Sequence, residues 1–303
     1  MLAARIACTI IAFFAWQTGL AAASKVVSGS VRSITLEREI RFFIYLPDGY
    51  EKGSLHYPVL YLLHGAGGDE STWAERCHIK EKADQLIASG AIQPALIVMP
   101  GCTACWWVDG AKEKAETAFW QDFVPAIEMR YRTIEKRSGR LMAGLSAGGY
   151  GTVRFALRYP DKLAAIAALS PAVYTEGVPE LSAARTQPPF LDANGKFDQD
   201  AWDRHNYPAY LFDYLNQPSR VPFYLVSGDG DKLGIAYETA LLFKRIYDHQ
   251  PELAELRVVD GDHSWKVWEA AIDDALRYIF RFADKPSGLA RTAATAGLTG
   301  QGR

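Results

Sequence analysis

Apolar residues along this chain fall into short runs, separated by stretches with helical spacing. From 31 to 46 they alternate with polar ones (Ile34, Leu36, Ile40, Phe42, Ile44), a period of two that predicts an antiparallel pair at a sheet edge. Pro47-Asp48-Gly49-Tyr50 ends it. The runs at 58–64, 95–99, 141–145, 163–169, 222–226 and 255–259 are continuous, as expected of strands buried on both faces. Between and after them lie helical stretches around 80–88, 119–131 (Trp120, Phe123 and Ile127 on one face), 149–158, 237–248 and 265–282. Strand alternating with helix predicts an α/β architecture: a mostly parallel central sheet, helices on both faces, and an antiparallel N-terminal edge.

Three segments break the alternation. Residues 173–217, rich in Pro, Asp and aromatics between two strands, are expected to form a lid-like insertion. Residues 285–303 are small and polar and are expected to be a disordered tail. The first 23 residues have Arg5, an apolar run from Ile6 to Phe14 and small residues at Ala21-Ala22-Ala23. That is the layout of a cleavable signal peptide, and the apolar run is short for a bilayer span. One domain over 24–284, secreted or periplasmic and without stable membrane insertion, is therefore expected.

Composition adds little beyond this. Of 303 residues 49% are apolar and 22% charged, enough for an ordinary core. The net charge is −2 with no basic block, so nucleic acid and anionic membrane surfaces are not expected partners. Cys8 lies in the leader, leaving Cys77, Cys102 and Cys105 for an oxidising compartment. Cys102-Thr-Ala-Cys105 has a redox spacing but no thioredoxin-like surroundings, so a structural disulfide is expected. Sequence does not choose the pair.

Gly144-Leu-Ser146-Ala-Gly148 matches G-x-S-x-G where that pattern carries chemistry, between a buried strand and a helix. The glycines relieve a sharp turn, and the serine projects as a nucleophile. A serine hydroxyl needs a base, and His263, in the loop after the last strand, is placed for it. His64, beside a glycine loop, reads as structural; His205 lies in the insertion. The acid that fixes the imidazole tautomer should follow the preceding strand, where Asp229 and Asp231 are both available. Asp260 and Asp262 are too close in sequence to His263 and read as solvated. Oxyanion donors are expected from the backbone N–H groups of Ala147 and of Ala66 in His64-Gly-Ala-Gly-Gly68. Trp106, Trp107, Tyr150 and Trp265 are candidates for substrate binding, with Trp268 read as core.

Four stretches together carry a resemblance: Tyr45-Leu-Pro-Asp-Gly-Tyr50, Leu62-Leu-His-Gly-Ala-Gly-Gly68, Gly144-Leu-Ser-Ala-Gly-Gly149 and Gly261-Asp-His-Ser-Trp265. From about Val31 to Phe282 the chain resembles the esterase D-like family of α/β hydrolases. That family includes S-formylglutathione hydrolases, feruloyl and acetylxylan esterases, enterochelin esterases and mycolyltransferases. The resemblance implies the α/β-hydrolase fold, Ser146 as nucleophile, His263 as base, and oxyanion donors at Ala66 and Ala147. Its G-x-x-D element falls on Gly228-Asp-Gly-Asp231 and so favours Asp231. It implies a serine carboxylesterase acting on a small-molecule or carbohydrate ester, closest to the secreted, sugar-ester branch, with no cofactor and no metal. An acyltransferase with the same triad and a non-catalytic binding protein on the same scaffold are the competing readings.

Overall fold

The computed structural model describes residues 23–102, 106–111 and 113–288; the predicted leader through residue 22, Cys105 and the tail beyond 288 lie outside them. The described residues open with β1 (Lys25–Arg32) and β2 (Glu39–Leu46), an antiparallel hairpin pairing Lys25 with Leu46 and Arg32 with Glu39. The edge pair thus begins six residues before the predicted start. Of β1 only Val31 is buried, so most of that strand carries no core-facing alternation for a sequence pattern to detect.

The remaining elements follow as β3 (Val59–Leu63), α1 (Thr72–Cys77), α2 (Ile79–Ala88), β4 (Leu96–Pro100), α3 (Ala115–Ala118), α4 (Val124–Arg130), β5 (Arg140–Leu145), α5 (Ala147–Arg158), β6 (Ala165–Leu169), α6 (Gln199–His205), α7 (Pro208–Leu215), β7 (Phe223–Gly228), α8 (Ile235–Tyr247), β8 (Ala254–Val259) and α9 (Trp265–Phe280). The single helix predicted at 119–131 is instead α3 and α4 joined by a π turn over Phe119–Phe123. Pro125, which has no N–H to donate, sits in the first turn of α4, where that loss is tolerated.

One eight-stranded sheet runs β1-β2-β4-β3-β5-β6-β7-β8, antiparallel at β1–β2 and β2–β4 and parallel elsewhere. Every residue of β3, β4, β6 and β7 is buried, which is why their sequences are continuous apolar runs. Alternate β3 residues serve opposite faces. Val59, Tyr61 and Leu63 pack with the α4, α5 and α8 layer, Leu60 and Leu62 with α1, α2 and α9. The strand order reverses about β3, which pairs with β4 on one side and β5 on the other. At such a switch point the loops leaving the two strands diverge and open a crevice at their carboxyl ends. No helix among the described residues is long and apolar enough to cross a membrane.

Between β6 and β7 the 173–217 insertion holds α6 and α7, with Phe190, Trp202, Tyr207 and Tyr214 buried. Asp198 caps α6, accepting the N–H groups of Asp200 and Ala201 at 3.0 and 3.2 Å. The helical part is built into the core; Leu181, 79% exposed, belongs to the stretch that borders open space. At the other end Ser287, inside the predicted tail, exchanges two backbone hydrogen bonds with His56.

His205 gives the insertion a pH dependence. Burial first, then the guanidinium of Arg154, pushes its pKa down from 6.5 to about 4. Its Nδ1 is buried without a partner. On acidification the unfolded chain takes up this proton near pH 6.5, whereas the folded protein refuses it until about 4. Stability is therefore lost as pH falls through that window. His205→Gln is expected to flatten the fall in melting temperature between about pH 6.5 and 4, read by thermal scans. Parallel curves for the two proteins would show that this imidazole does not set the slope.

Candidate functional site

β5 runs through Gly144 and Leu145 into Ser146, which adopts φ 53° and ψ −116° before α5 begins. This is a sparsely populated conformation for a residue with a Cβ, costing on the order of 1–3 kcal/mol. Surrounding hydrogen bonds hold it. Ser146 N–H donates to the Leu169 carbonyl at 2.9 Å, and the Ser146 carbonyl accepts from Tyr150 and Ala172 at 2.8 and 3.2 Å. The flanking glycines are steric requirements. A Cβ at Gly144 would lie 2.5 Å from the Gly148 backbone, and one at Gly148 would lie 2.4 Å from the Leu63 carbonyl oxygen. The turn therefore closes only with glycine at both positions, and the hydroxyl is left at the crevice.

The loops after β7 and β8 lie against each other. Gly230 N–H donates to the Gly261 carbonyl at 2.8 Å, and Gly261 N–H donates to the Asp229 carboxylate at 3.1 Å. This pairing sets Asp231 beside His263. Asp231 Oδ2 lies 2.7 Å from His263 Nδ1, and His263 Nε2 lies 2.9 Å from Ser146 Oγ. The Asp231 side chain is fully buried, and its Oδ1 accepts the Leu233 N–H at 2.9 Å. A carboxylate can only accept, so Nδ1 carries the imidazole proton and Nε2 offers a lone pair to the hydroxyl. Of the two acids in the G-x-x-D element, Asp231 contacts the histidine and Asp229 ties the loop. Asp260 and Asp262 are exposed. The Trp268 ring stands edge-on to the imidazole at 5.0 Å and anchors its Nε1–H on Ser170 Oγ at 3.0 Å.

The crevice is a cleft of about 430 Å³ in which Ser146 and His263 meet the 65–68 loop. Ala66 is exposed on its wall; Ala147 is the first residue of α5, where a helix leaves its N–H groups without an internal acceptor. His64 braces this loop from behind. Its Nε2 accepts the Cys102 N–H at 2.9 Å, so Nδ1 holds the proton and donates to the Gly65 carbonyl at 2.7 Å. Burial lowers its pKa, which keeps the ring neutral as both bonds require.

Trp106 and Trp265, candidates for substrate binding, line the cleft, and so does Trp268, which is also buried in the core in keeping with its sequence reading. Trp107 and Tyr150 do not line it. Trp107 is buried, its Nε1 donating to the His64 carbonyl at 3.3 Å, and Tyr150 is buried with its hydroxyl on the His205 carbonyl at 2.7 Å. Both lie behind the wall because α5 runs directly under the cleft, and its inward face is core. Thr72, Arg76, Tyr174, Leu181, Ser182 and Leu233 line the cleft but were not foreseen. Only Thr72 and Arg76 carried a signal, an i, i+4 spacing just after the glycine loop. Cys102 is disulfide-bonded and Cys77 is free and buried, so Cys77 is not in that bond.

A parallel sheet with a strained serine between β5 and α5, and a histidine after the last strand, defines an α/β-hydrolase fold. The chain belongs to the esterase family described as "Putative esterase", which it matches over residues 33–279. It is 35% identical over 127 residues to an endo-1,4-beta-xylanase/feruloyl esterase of Xylanibacter ruminicola, covering 39% of this chain and 18% of that protein. It is 33% identical over 123 residues to esterase MT1326 of Mycobacterium tuberculosis, covering 38% and 25%. The matched stretch thus spans a quarter or less of these relatives' length. Among solved structures, a ferulic acid esterase superposes with a TM-score of 0.72 at 28% identity, over 86% of this chain and 98% of that one. An S-formylglutathione hydrolase of Staphylococcus aureus shares the fold, with a TM-score of 0.68 at 21% identity over 86% and 100% of the two chains.

Proposed function

We propose that this member of the esterase family is a secreted serine carboxylesterase that hydrolyses short acyl or aryl esters of sugars or related alcohols. The observation that carries the reading is the hydrogen-bonded line from Asp231 through His263 to Ser146, opening on a cleft. In the proposed reaction Ser146 Oγ attacks the ester carbonyl while His263 Nε2 takes its proton. The oxyanion is met by the N–H groups of Ala66 and Ala147. His263 then protonates the leaving alcohol, and the same imidazole activates water to release the acid. Asp231 holds the tautomer and stabilises the imidazolium without itself taking the proton.

The substrate class is supported by the aromatic walls at Trp106 and Trp265, suited to stacking on an aryl or sugar ring, and by relatives named feruloyl esterase. Export is supported by the leader-like first 23 residues and by the disulfide at Cys102, a bond that persists in oxidising compartments. Ser24, the first residue after the expected cut, bonds the Asp84 carboxylate at 2.7 Å, a contact that cleavage there would leave in the domain.

The test is turnover of p-nitrophenyl acetate combined with intact-mass analysis after a fluorophosphonate. Protein recovered from the exported fraction should start at Ser24, take up one phosphonyl group on Ser146, and lose turnover in step. Folded protein that neither labels nor turns over would favour the binding-protein reading. Labelling without hydrolysis would favour acyl transfer to another alcohol.

A further inference from the structure

We infer that Arg76 selects esters that carry an anionic group, a carboxylate in particular; the inference rests on the esterase reading above and names its substrate class more closely. Arg76 lies in the last turn of α1 and lines the same cleft as Ser146 and His263, one helical turn beyond Thr72, which lines it too. The cleft wall is otherwise uncharged: glycines and alanines of the loops, hydroxyls such as Thr72 and Ser182, and apolar surfaces such as Trp265 and Leu233. Apart from His263, Arg76 is the one ionisable basic group among the residues lining it, and no Asp or Glu lines it at all.

The nearby acids are occupied elsewhere. Asp69 accepts the N–H and hydroxyl of Ser71, both at 2.9 Å, and Glu70 pairs with Arg41 at 2.9 Å. Glu75 is the helical neighbour by one residue and so points to a different side of α1. Among the described residues no carboxylate forms an ion pair with Arg76. A cation in the last turn of a helix is favoured by the macrodipole, but that interaction uses none of the five guanidinium N–H donors. An arginine with open donors, at the mouth of an aromatic-walled cleft, is a fork for an anion. Arg76 is exposed to solvent, so the attraction it exerts on a negatively charged ester is one that salt screens.

The anion can sit on the acyl part or on the alcohol part of the ester, and the test separates the two. Three substrates are compared: p-nitrophenyl acetate, mono-p-nitrophenyl glutarate with the carboxylate on the acyl chain, and 4-acetoxybenzoate with it on the leaving phenol. The readout is the ratio of kcat/KM for each anionic ester to that for the neutral one. In Arg76→Ala at least one ratio is expected to fall about tenfold, chiefly through KM. Arg76→Lys should keep part of it, and added salt should lower that ratio in the wild type but not in the alanine variant. The ester whose ratio falls identifies the side that meets Arg76. Ratios that move less than twofold for both anionic esters, in a variant that still turns over p-nitrophenyl acetate, overturn the inference and leave the esterase reading standing. Wild-type protein inactive on all three overturns both.

Discussion

Ser146→Ala is expected to lower kcat for p-nitrophenyl acetate by about four to six orders of magnitude while leaving the fold intact. The size follows from the hydroxyl's place in the proposed mechanism. It forms the bond to the carbonyl, and nothing else lining the cleft offers a comparable nucleophile 2.9 Å from a base. The fold should survive because Ser146 is anchored through its backbone, to Leu169, Tyr150 and Ala172, and alanine keeps those bonds. Some strain at φ 53° remains, since alanine also carries a Cβ. Residual turnover above the uncatalysed rate is expected from the Ala66 and Ala147 donors and from binding alone. Stopped-flow and steady-state rates with the folded variant check this. A variant retaining more than about a hundredth of the wild-type kcat would mean that Ser146 is not the nucleophile.

The second large effect concerns stability. Glu116 is 1% exposed, and its carboxylate accepts from Arg154, Arg158 and the Tyr159 hydroxyl. Arg154 is 2% exposed and donates onward to the His205 carbonyl at 3.0 Å and the Tyr210 hydroxyl at 3.1 Å. One buried cluster thereby ties α3 to α5 and α5 to the insertion. Glu116→Ala leaves the Arg154 charge buried without a counter-charge, at a cost of about 3–5 kcal/mol. For a domain of this size that corresponds to a melting temperature lower by roughly 10 °C. Because the single variant could fail to fold, Glu116→Leu with Arg154→Met is the informative partner. Removing both charges is expected to recover most of the loss. Calorimetry that finds the double variant as damaged as the single one would show that packing, not charge burial, dominates there.

The strained turn at Ser146 was legible in sequence because part of its constraint is local. Gly144 is required by the Gly148 backbone of the same turn, and a buried strand on one side and a helix on the other frame the serine; Gly148 is required by the Leu63 carbonyl of β3, which only the assembled sheet brings there. The choice between Asp229 and Asp231 was not local. Two acids two residues apart differ only in which one the β7–β8 loop pairing turns toward the imidazole. Likewise Trp107 and Tyr150 were indistinguishable from Trp106 as aromatics near the site. Their burial depends on how α5 and the insertion pack.

By itself, the sequence determined the core strands, their order and the main helices between them: continuous apolar runs specify strands buried on both faces, and the G-x-S-x-G spacing marks the strained turn. These follow from short-range sterics and from the hydrophobic pattern, which each segment carries alone. The tertiary structure decided what stands next to what. It brought His263 to Ser146 across 117 positions, set Asp231 rather than Asp229 against the imidazole, and placed Arg76 on the cleft while sending Tyr150 to the core. Such neighbours are set by the strand order and by loops that touch only after the sheet has formed, and no local pattern records them.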